Sequence, residues 1–342
     1  MDALLITQSI LKKGLRNMSK KSKVVYTSTG VPVRQKPLGL RIWNNRGFYL
    51  MFIPVFVFVL IMNYWPLLGI RYAFYDYKTS VKGMVATFTG LENFRNMFAT
   101  SAFWTSFTNT LVLSIMKLII TTASSVLVSV FINEMGNLLV KKTLQTIIYL
   151  PHFMSWAVVA AIFSLILSPS STGMVNGILK DMGILAKEDA GIYFLASREW
   201  WRPIFYIINI WKETGWGTII FLATLSGINP ELYEAADIDG ASRMQKIRYV
   251  TIPALLQTII IVLILNLAKV MNMFESVFVL YNANVYDVSD VISTYIYRMT
   301  FATARANYGY SIAVGLFKSL VGGALVLFCN WLSKKVRGRG IL

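Results

Sequence analysis

Four lysines, Lys117, Lys212, Lys269 and Lys318, stand inside stretches of sequence that are otherwise almost wholly apolar. A charge in such surroundings costs at least about 2.5–3.5 kcal/mol at the centre of a bilayer, and is ordinarily turned toward a wet cavity or a partner. Polar residues accompany them at helical spacing: Asn109 two turns before Lys117, Asn209, Glu213 and Trp216 around Lys212, and Asn266 before Lys269. Measured from the outer ends of their helices at about 1.5 Å per residue, the four lysines lie roughly 12–17 Å deep, in one layer. Two readings stand. In one, Lys117, Asn209, Lys212, Glu213, Trp216, Asn266, Lys269 and Asn272 line a pathway in which ammonium groups suit carboxylates, while Asn, Trp and Tyr suit sugar hydroxyls and ring faces. In the other, the lysines pair with local acids or snorkel outward. Only Glu213 and Glu275 lie at that depth, so at most two of the four can pair within the chain.

This is chemistry of recognition, without the residues of catalysis. One histidine, His152, and one cysteine, Cys329, argue against a structural metal site and exclude an internal disulfide. His152, directly after Pro151, reads as a packing or hydrogen-bonding residue in preference to a proton carrier. The segment "LSGIN" at 225–229 resembles an ATPase signature only superficially, and no G-x4-G-K-[ST] phosphate loop occurs anywhere in the chain. No catalytic residue and no cofactor on this chain are expected.

The elements that must position these residues follow from composition. Of 342 residues, 56% are hydrophobic and 14% charged, with a mean hydropathy of +0.57, where a soluble domain would be about one quarter charged. Six apolar spans can be drawn, at 48–74, 105–132, 144–167, 203–225, 253–279 and 310–332, which predicts an all-α integral membrane fold. The net charge of +17 is explained by basic cytoplasmic loops, so nucleic acid is not an expected partner. Nineteen Lys and Arg fall on the side of the termini and nine on the other, which predicts cytoplasmic N- and C-termini. Tyr64, Trp65, Trp104, Trp200 and Trp201 fall at the expected outer boundary, and Trp43 and Trp331 at the inner one.

The basic segment 1–47 lacks the order of a cleavable signal peptide; Leu4, Ile10, Leu11 and Leu15 suit a short interfacial helix, and a disordered basic tail is an equal alternative. A membrane domain is expected over 48–332, with a short C-terminal tail at 333–342. Pro54, Pro66 and Pro151 allow kinks, and Gly215 and Gly217 allow close backbone approach. Residues 281–291 read either as an outer contact for a binding protein or as a solvated loop.

One cytoplasmic loop, 229–252, is charged. Asn229 caps a helix opening with Pro230 and bearing Glu231 and Glu234; a second short helix from Ala241 to Tyr249 follows a break at Gly240, and Pro253 opens the fifth span. The order Glu234-Ala235-Ala236, then Gly240, then Val250-Thr251-Ile252-Pro253 resembles the "EAA" loop, E-A-A-x3-G-x9-I-x-L-P, of ATP-binding-cassette (ABC) importer permeases, with Val and Ile in place of Ile and Leu. "NPELYEAADIDGASRMQKIRYVTIP" and the later "ANYGYSIAVGLFKS" are similar in particular to the carbohydrate, maltose-permease-like branch, and the overall look is similar to permeases for alginate-like or pectin-like acidic oligosaccharides.

The resemblance implies a bacterial inner-membrane permease subunit with six transmembrane helices and a cytoplasmic coupling-helix loop. Glu234, Ala235, Ala236, Gly240, Ile252 and Pro253 would couple it to an ATPase dimer that binds the ATP and Mg. The other implied partners are a second permease subunit, expected as a heterodimer, an extracytoplasmic solute-binding protein and the lipid bilayer. The cargo it implies is an oligosaccharide, with a uronate-containing acidic glycan as the refinement. The alternatives are an ABC permease for a different solute, an ion-coupled secondary transporter, for which no inverted repeat is found, and a membrane-embedded enzyme.

Overall fold

The computed structural model describes residues 24–26, 32–34, 38–80, 83–170, 173–302, 306–337 and 340. The described residues up to Gly69 form one unit and those from Ile70 onward another. In the first, β1 (Val24–Tyr26) pairs antiparallel with β2 (Pro32–Arg34), and two helices follow, α1 (Leu38–Asn44) and α2 (Arg46–Val59). Pro54 stands inside α2, and none of the α2 residues is buried, as in a helix that faces lipid. The interfacial helix expected around Leu4 to Leu15 lies outside the described residues.

The second unit opens with a hairpin that the apolar pattern did not announce, β3 (Tyr75–Ser80) against β4 (Gly83–Phe88). Helices follow: α3 (Glu92–Ala99), α4 (Ser101–Asn133), α5 (Leu138–Tyr149), α6 (Trp156–Ile166), α7 (Met174–Asp181) and α8 (Trp201–Ser226). Then come α9 (Glu231–Ile238), α10 (Arg243–Leu267), α11 (Glu275–Phe278), α12 (Tyr286–Ser289), α13 (Ile292–Phe301) and α14 (Tyr308–Arg337).

The six expected spans become four helical runs long and apolar enough to cross a bilayer: Arg46–Phe74, Ser101–Asn133, Arg243–Leu267 and Tyr308–Lys335. A fifth is counted if the bent pair Leu138–Phe153 and Trp156–Ile166 is one span. The remaining expected span, 203–225, is the 26-residue helix α8, whose Lys212 and Glu213 dilute its apolar character.

Two spans differ in shape from the straight rods expected. The third turns by 101°. Pro151 lacks an N–H to continue the helix, a 3-10 turn Leu150–Phe153 tightens its end, and Met154 and Ser155 are extended before Ser155 caps α6. The fifth starts early and stops early. Its helix begins at Arg243 instead of at Pro253, with a π turn at Ile247–Thr251 in which the Ile252 N–H reaches the Ile247 carbonyl just ahead of the proline. It ends at Leu267, and a 3-10 turn Val270–Asn272 takes over where helix was expected to run on to 279.

Helices α4 and α8 make the most extensive helix pair. Hydroxyls knit it: Ser125 Oγ donates to the Thr214 carbonyl at 3.1 Å, and Thr218 Oγ1 to the Ser125 carbonyl at 3.4 Å. At one end Trp201, Phe205 and Ile208 of α8 pack with Leu113, Val159, Val277 and Val285. Trp201 is therefore core and not boundary: it is fully buried and its indole N–H donates to the Leu280 carbonyl at 3.1 Å. Tyr64, Trp65, Trp104 and Trp200 are exposed, as an interfacial position requires.

Segment 281–291 also proves to be packed and is no solvated loop. Asn109 donates to the Asp287 and Asp290 carbonyls, Arg202 to the Val288 carbonyl and to Asn109 Oδ1, and Arg198 pairs with Asp287 at 2.6 Å. Asp290, buried, is held by Arg298, Ser106 and Thr294.

Candidate functional site

Helices α4, α8 and α10, with Trp156 and the broken stretch after α10, line an open cavity of about 810 Å3. Six of the eight expected pathway residues line it: Lys117, Glu213, Trp216, Asn266, Lys269 and Asn272. The remaining two, Asn209 and Lys212, do not. Asn209 is fully buried and donates to the Phe205 carbonyl at 2.7 Å, within its own helix. Lys318 is also elsewhere, donating to Ser293 Oγ at 2.9 Å, so the single layer of four lysines resolves into three different environments.

The two cavity lysines belong to different elements. Lys117 projects from the middle of α4, its Nζ 5.7 Å from the centre of the Trp156 ring. Lys269 lies just past the end of α10, where the chain turns on itself: the Lys269 N–H reaches the Asn266 carbonyl, and the Asn272 N–H the Lys269 carbonyl. Ser114 of α4 anchors that turn by donating to the Val270 carbonyl at 2.8 Å. Among the described residues neither lysine takes part in an ion pair, although Glu213 and Glu275 share the cavity wall. Glu213 faces His152 at 3.4 Å instead, and His152 stacks on Trp216 with 4.8 Å between ring centres.

Trp156 was not singled out from the sequence, yet its ring lies near both Lys117 and Lys212. It follows a proline-containing apolar run, and only the 101° corner brings it to the cavity. Ser114 and Thr121 were missed for a related reason: a hydroxyl in an apolar helix usually bonds back to its own backbone, as Thr121 does to the Lys117 carbonyl at 2.7 Å.

At the other feature, the charged hook, the Asn229 side chain accepts from the Glu231 N–H at 3.2 Å and donates to Glu231 Oε2 at 3.0 Å, holding the start of α9. The helix closes at Gly240, whose φ of +72° is left-handed, with Gly240 N–H on the Asp237 carbonyl and Ala241 N–H on the Ala236 carbonyl. The glycine is thus required by the turn itself; a Cβ there would meet nothing within 4 Å. Ser242 and Gln245 form a reciprocal capping box at the start of α10, so the expected second helix is the first turn of the fifth span and not a separate element. Lys246 pairs with Asp237 at 2.7 Å, and the Tyr233 and Thr251 hydroxyls lie 3.1 Å apart, tying α9 to α10. The loop exposes Leu232, Ile238, Met244 and Tyr249.

Comparison with known proteins places these features in a family. Residues 125–338 match the family described as binding-protein-dependent transport system inner membrane component. The chain is 36% identical to the polygalacturonan/rhamnogalacturonan transport system permease protein YteP of Bacillus subtilis, over 90% of this chain and 94% of that protein. It is equally identical to the protein LplB of the same organism, over 87% and 92% of the two chains. Among solved structures it superposes on a chain of a bacterial ABC transporter that imports the acidic polysaccharide alginate, with a TM-score of 0.76, 36% identity, and coverage of 88% of this chain and 99% of that one. A further crystal structure with the same TM-score holds the alginate transporter with an alginate-pentasaccharide-bound periplasmic protein. An ion-coupled transporter and a membrane enzyme are thereby set aside. The chain belongs to the binding-protein-dependent transport system inner membrane components, and is a membrane-embedded permease component of a bacterial ABC importer that works with a solute-binding protein.

Proposed function

We propose that this chain is one permease subunit of an ATP-driven importer of oligosaccharides, and that its cargo bears carboxylates, as a uronate-containing glycan does. The observation that carries the reading is the cavity wall: two ammonium groups that form no ion pair among the described residues, set among Trp156, Trp216, Asn266 and Asn272. Indole faces suit pyranose rings, amides suit hydroxyls, and the ammonium groups suit carboxylates. That one relative is named for polygalacturonan transport and another structure for alginate import supports it.

In this reading the hook is the coupling element, through Glu234, Ala235, Ala236, Gly240, Ile252 and Pro253. It seats its exposed apolar side chains on a partner ATPase dimer, which holds the ATP and magnesium; this chain has no cofactor of its own. A second, different permease subunit completes the pathway, and both termini, including the basic segment 1–47, are cytoplasmic. Closure of the ATPase pair moves α9. The Asp237–Lys246 pair and the Tyr233–Thr251 contact pass that displacement to α10, at whose far end Asn266 and Lys269 stand.

The test is ATPase stimulation in the complete importer by tetragalacturonate and by neutral maltotetraose. Lys117→Ala and Lys269→Ala should lower the response to the acidic glycan at least tenfold while leaving any neutral response in place; unchanged responses to both sink the acidic reading. Gly240→Glu should leave the protein inserted while uncoupling hydrolysis from uptake, and normal uptake in that variant would refute the coupling role.

A further inference from the structure

The lysine that the cavity excludes is the one whose geometry is most fully determined. Lys212 lies in the middle of α8 and is only 4% exposed. Its Nζ donates to three main-chain carbonyls of the broken third span: Pro151 at 3.4 Å, His152 at 2.8 Å and Met154 at 2.6 Å.

These carbonyls need an outside partner. The chain leaves the helix at Met154 and turns by 101°, so no following turn of helix supplies N–H groups. Of the three, only Pro151 has a main-chain donor among the described residues, Met154 at 3.2 Å. In a bilayer there is no bulk water to complete the set, and each orphaned carbonyl costs several kcal/mol. An ammonium has three N–H donors, and here three carbonyls accept them. No donor remains for cargo.

Neighbouring residues of α8 seat the same corner. Glu213 lies 3.4 Å from His152, and Trp216 stacks on the His152 ring at an interplanar angle of 11°. At Gly215 the helix comes so close that a Cβ would lie 2.1 Å from the Ile148 carbonyl oxygen. The Trp156 ring, two residues past Met154, sits 5.3 Å from the Lys212 ammonium. Four positions of one helix thus hold the corner, which carries Trp156 of the cavity wall and the His152 ring against which Trp216 of that wall stacks.

We propose that Lys212 is a positioning residue: by closing the carbonyl end of the broken span it fixes that corner, the Trp156 that the corner carries and the His152 ring on which Trp216 stacks, and it does not meet the cargo. The consequence for transport rests on the cavity being the cargo pathway; the capping itself does not.

The test measures uptake of radiolabelled tetragalacturonate by the complete importer carrying Lys212→Met or Lys212→Arg, with Lys117→Met and Lys269→Met as references. Lys212→Met should lower the maximal rate at least tenfold. Lys212→Arg, which keeps main-chain donors at the corner, should restore at least half of the rate. A KM raised at least fivefold at an unchanged maximal rate would overturn the proposal. If instead Lys117→Met and Lys269→Met leave KM unchanged, the pathway reading fails, whatever Lys212 does.

Amine labelling of the wild-type importer does not depend on a variant folding. A small water-soluble acylating reagent should modify Lys117 and Lys269, with protection by tetragalacturonate, and leave Lys212 unmodified with or without it. Modification of Lys212 that tetragalacturonate suppresses would likewise overturn the assignment.

Discussion

Two membrane helices of this protein break, each with a lysine at hand, and the breaks are completed in opposite ways. At 150–155 the main chain leaves its carbonyls facing α8, and Lys212 is drawn in from that helix to satisfy them. At 268–274 the Lys269 and Phe274 carbonyls take short-range main-chain N–H groups, and the Val270 carbonyl takes the hydroxyl of Ser114. Lys269, standing at that second break, is left exposed on the cavity wall. What an intramembrane lysine does is decided by whether a nearby backbone needs its protons. Counting charges by depth cannot separate the two cases, because Lys212 and Lys269 look alike in the sequence.

The comparison can be broken most forcefully at the seat of the first corner. Gly215→Val places a branched side chain where backbone already lies 2.1 Å from a Cβ, and a carbonyl cannot rotate away as a side chain can. It should destabilise the protein by about 3 kcal/mol or more, read as loss of the monodisperse species on heating in detergent. A variant as stable as wild type would mean that α8 does not seat the corner. Gly217→Ala meets only the Ser125 side chain and should be the milder of the two.

Next in size is the contrast between the lysines themselves. Lys212→Met should cost about 2–3 kcal/mol by leaving buried carbonyls unpaired, whereas Lys269→Met should stay within about 0.5 kcal/mol, as a change on an open wall does. Equal melting shifts would erase the distinction between the two breaks.

Ser114→Ala sharpens the second break. Loss of the bond to Val270 should cost about 1 kcal/mol, and faster hydrogen exchange over 268–274 should report it; an unaltered exchange pattern would show that the turn holds without Ser114.

The smallest effect belongs to the hook. The Asp237 carboxylate is mostly exposed, so Asp237→Asn should change stability by about 0.5 kcal/mol or less. The useful readout there is coupling: uptake per ATP hydrolysed should fall if the pair transmits motion, and an unchanged ratio would remove it from that path.

Much of this was legible in the chain. The hold of Asn229 on the Glu231 N–H was legible, although the cap position is Pro230 and the helix starts at Glu231, one residue later than expected, and the hook was found because Glu234, the alanines, Gly240 and Pro253 hold a fixed spacing. The physical reason for Gly240 was legible only as a break between two helices; the structure adds that its φ is left-handed, which favours glycine. Pro151 signalled a bend without its size, since the 101° corner is seated by α8, a helix far along the chain. Trp201 looked like a boundary residue because its neighbours Trp200 and Arg202 are polar-edge types, and its burial depends on Leu280. Segment 281–291 was ambiguous because its polar residues are satisfied by Asn109, Arg198 and Arg202, none of them local.

Composition and local pattern by themselves determined that this is a helical membrane protein with a charged, glycine-broken hook ahead of a long apolar helix, because hydropathy and helix capping act over a few residues. Only the tertiary structure decided which intramembrane lysine caps a helix end and which stand on the cavity wall. The reason is that the acceptors of the Lys212 ammonium are main-chain carbonyls 58 to 61 residues away. A carbonyl is present at every position of every sequence, and only the fold turns these three toward the Lys212 ammonium.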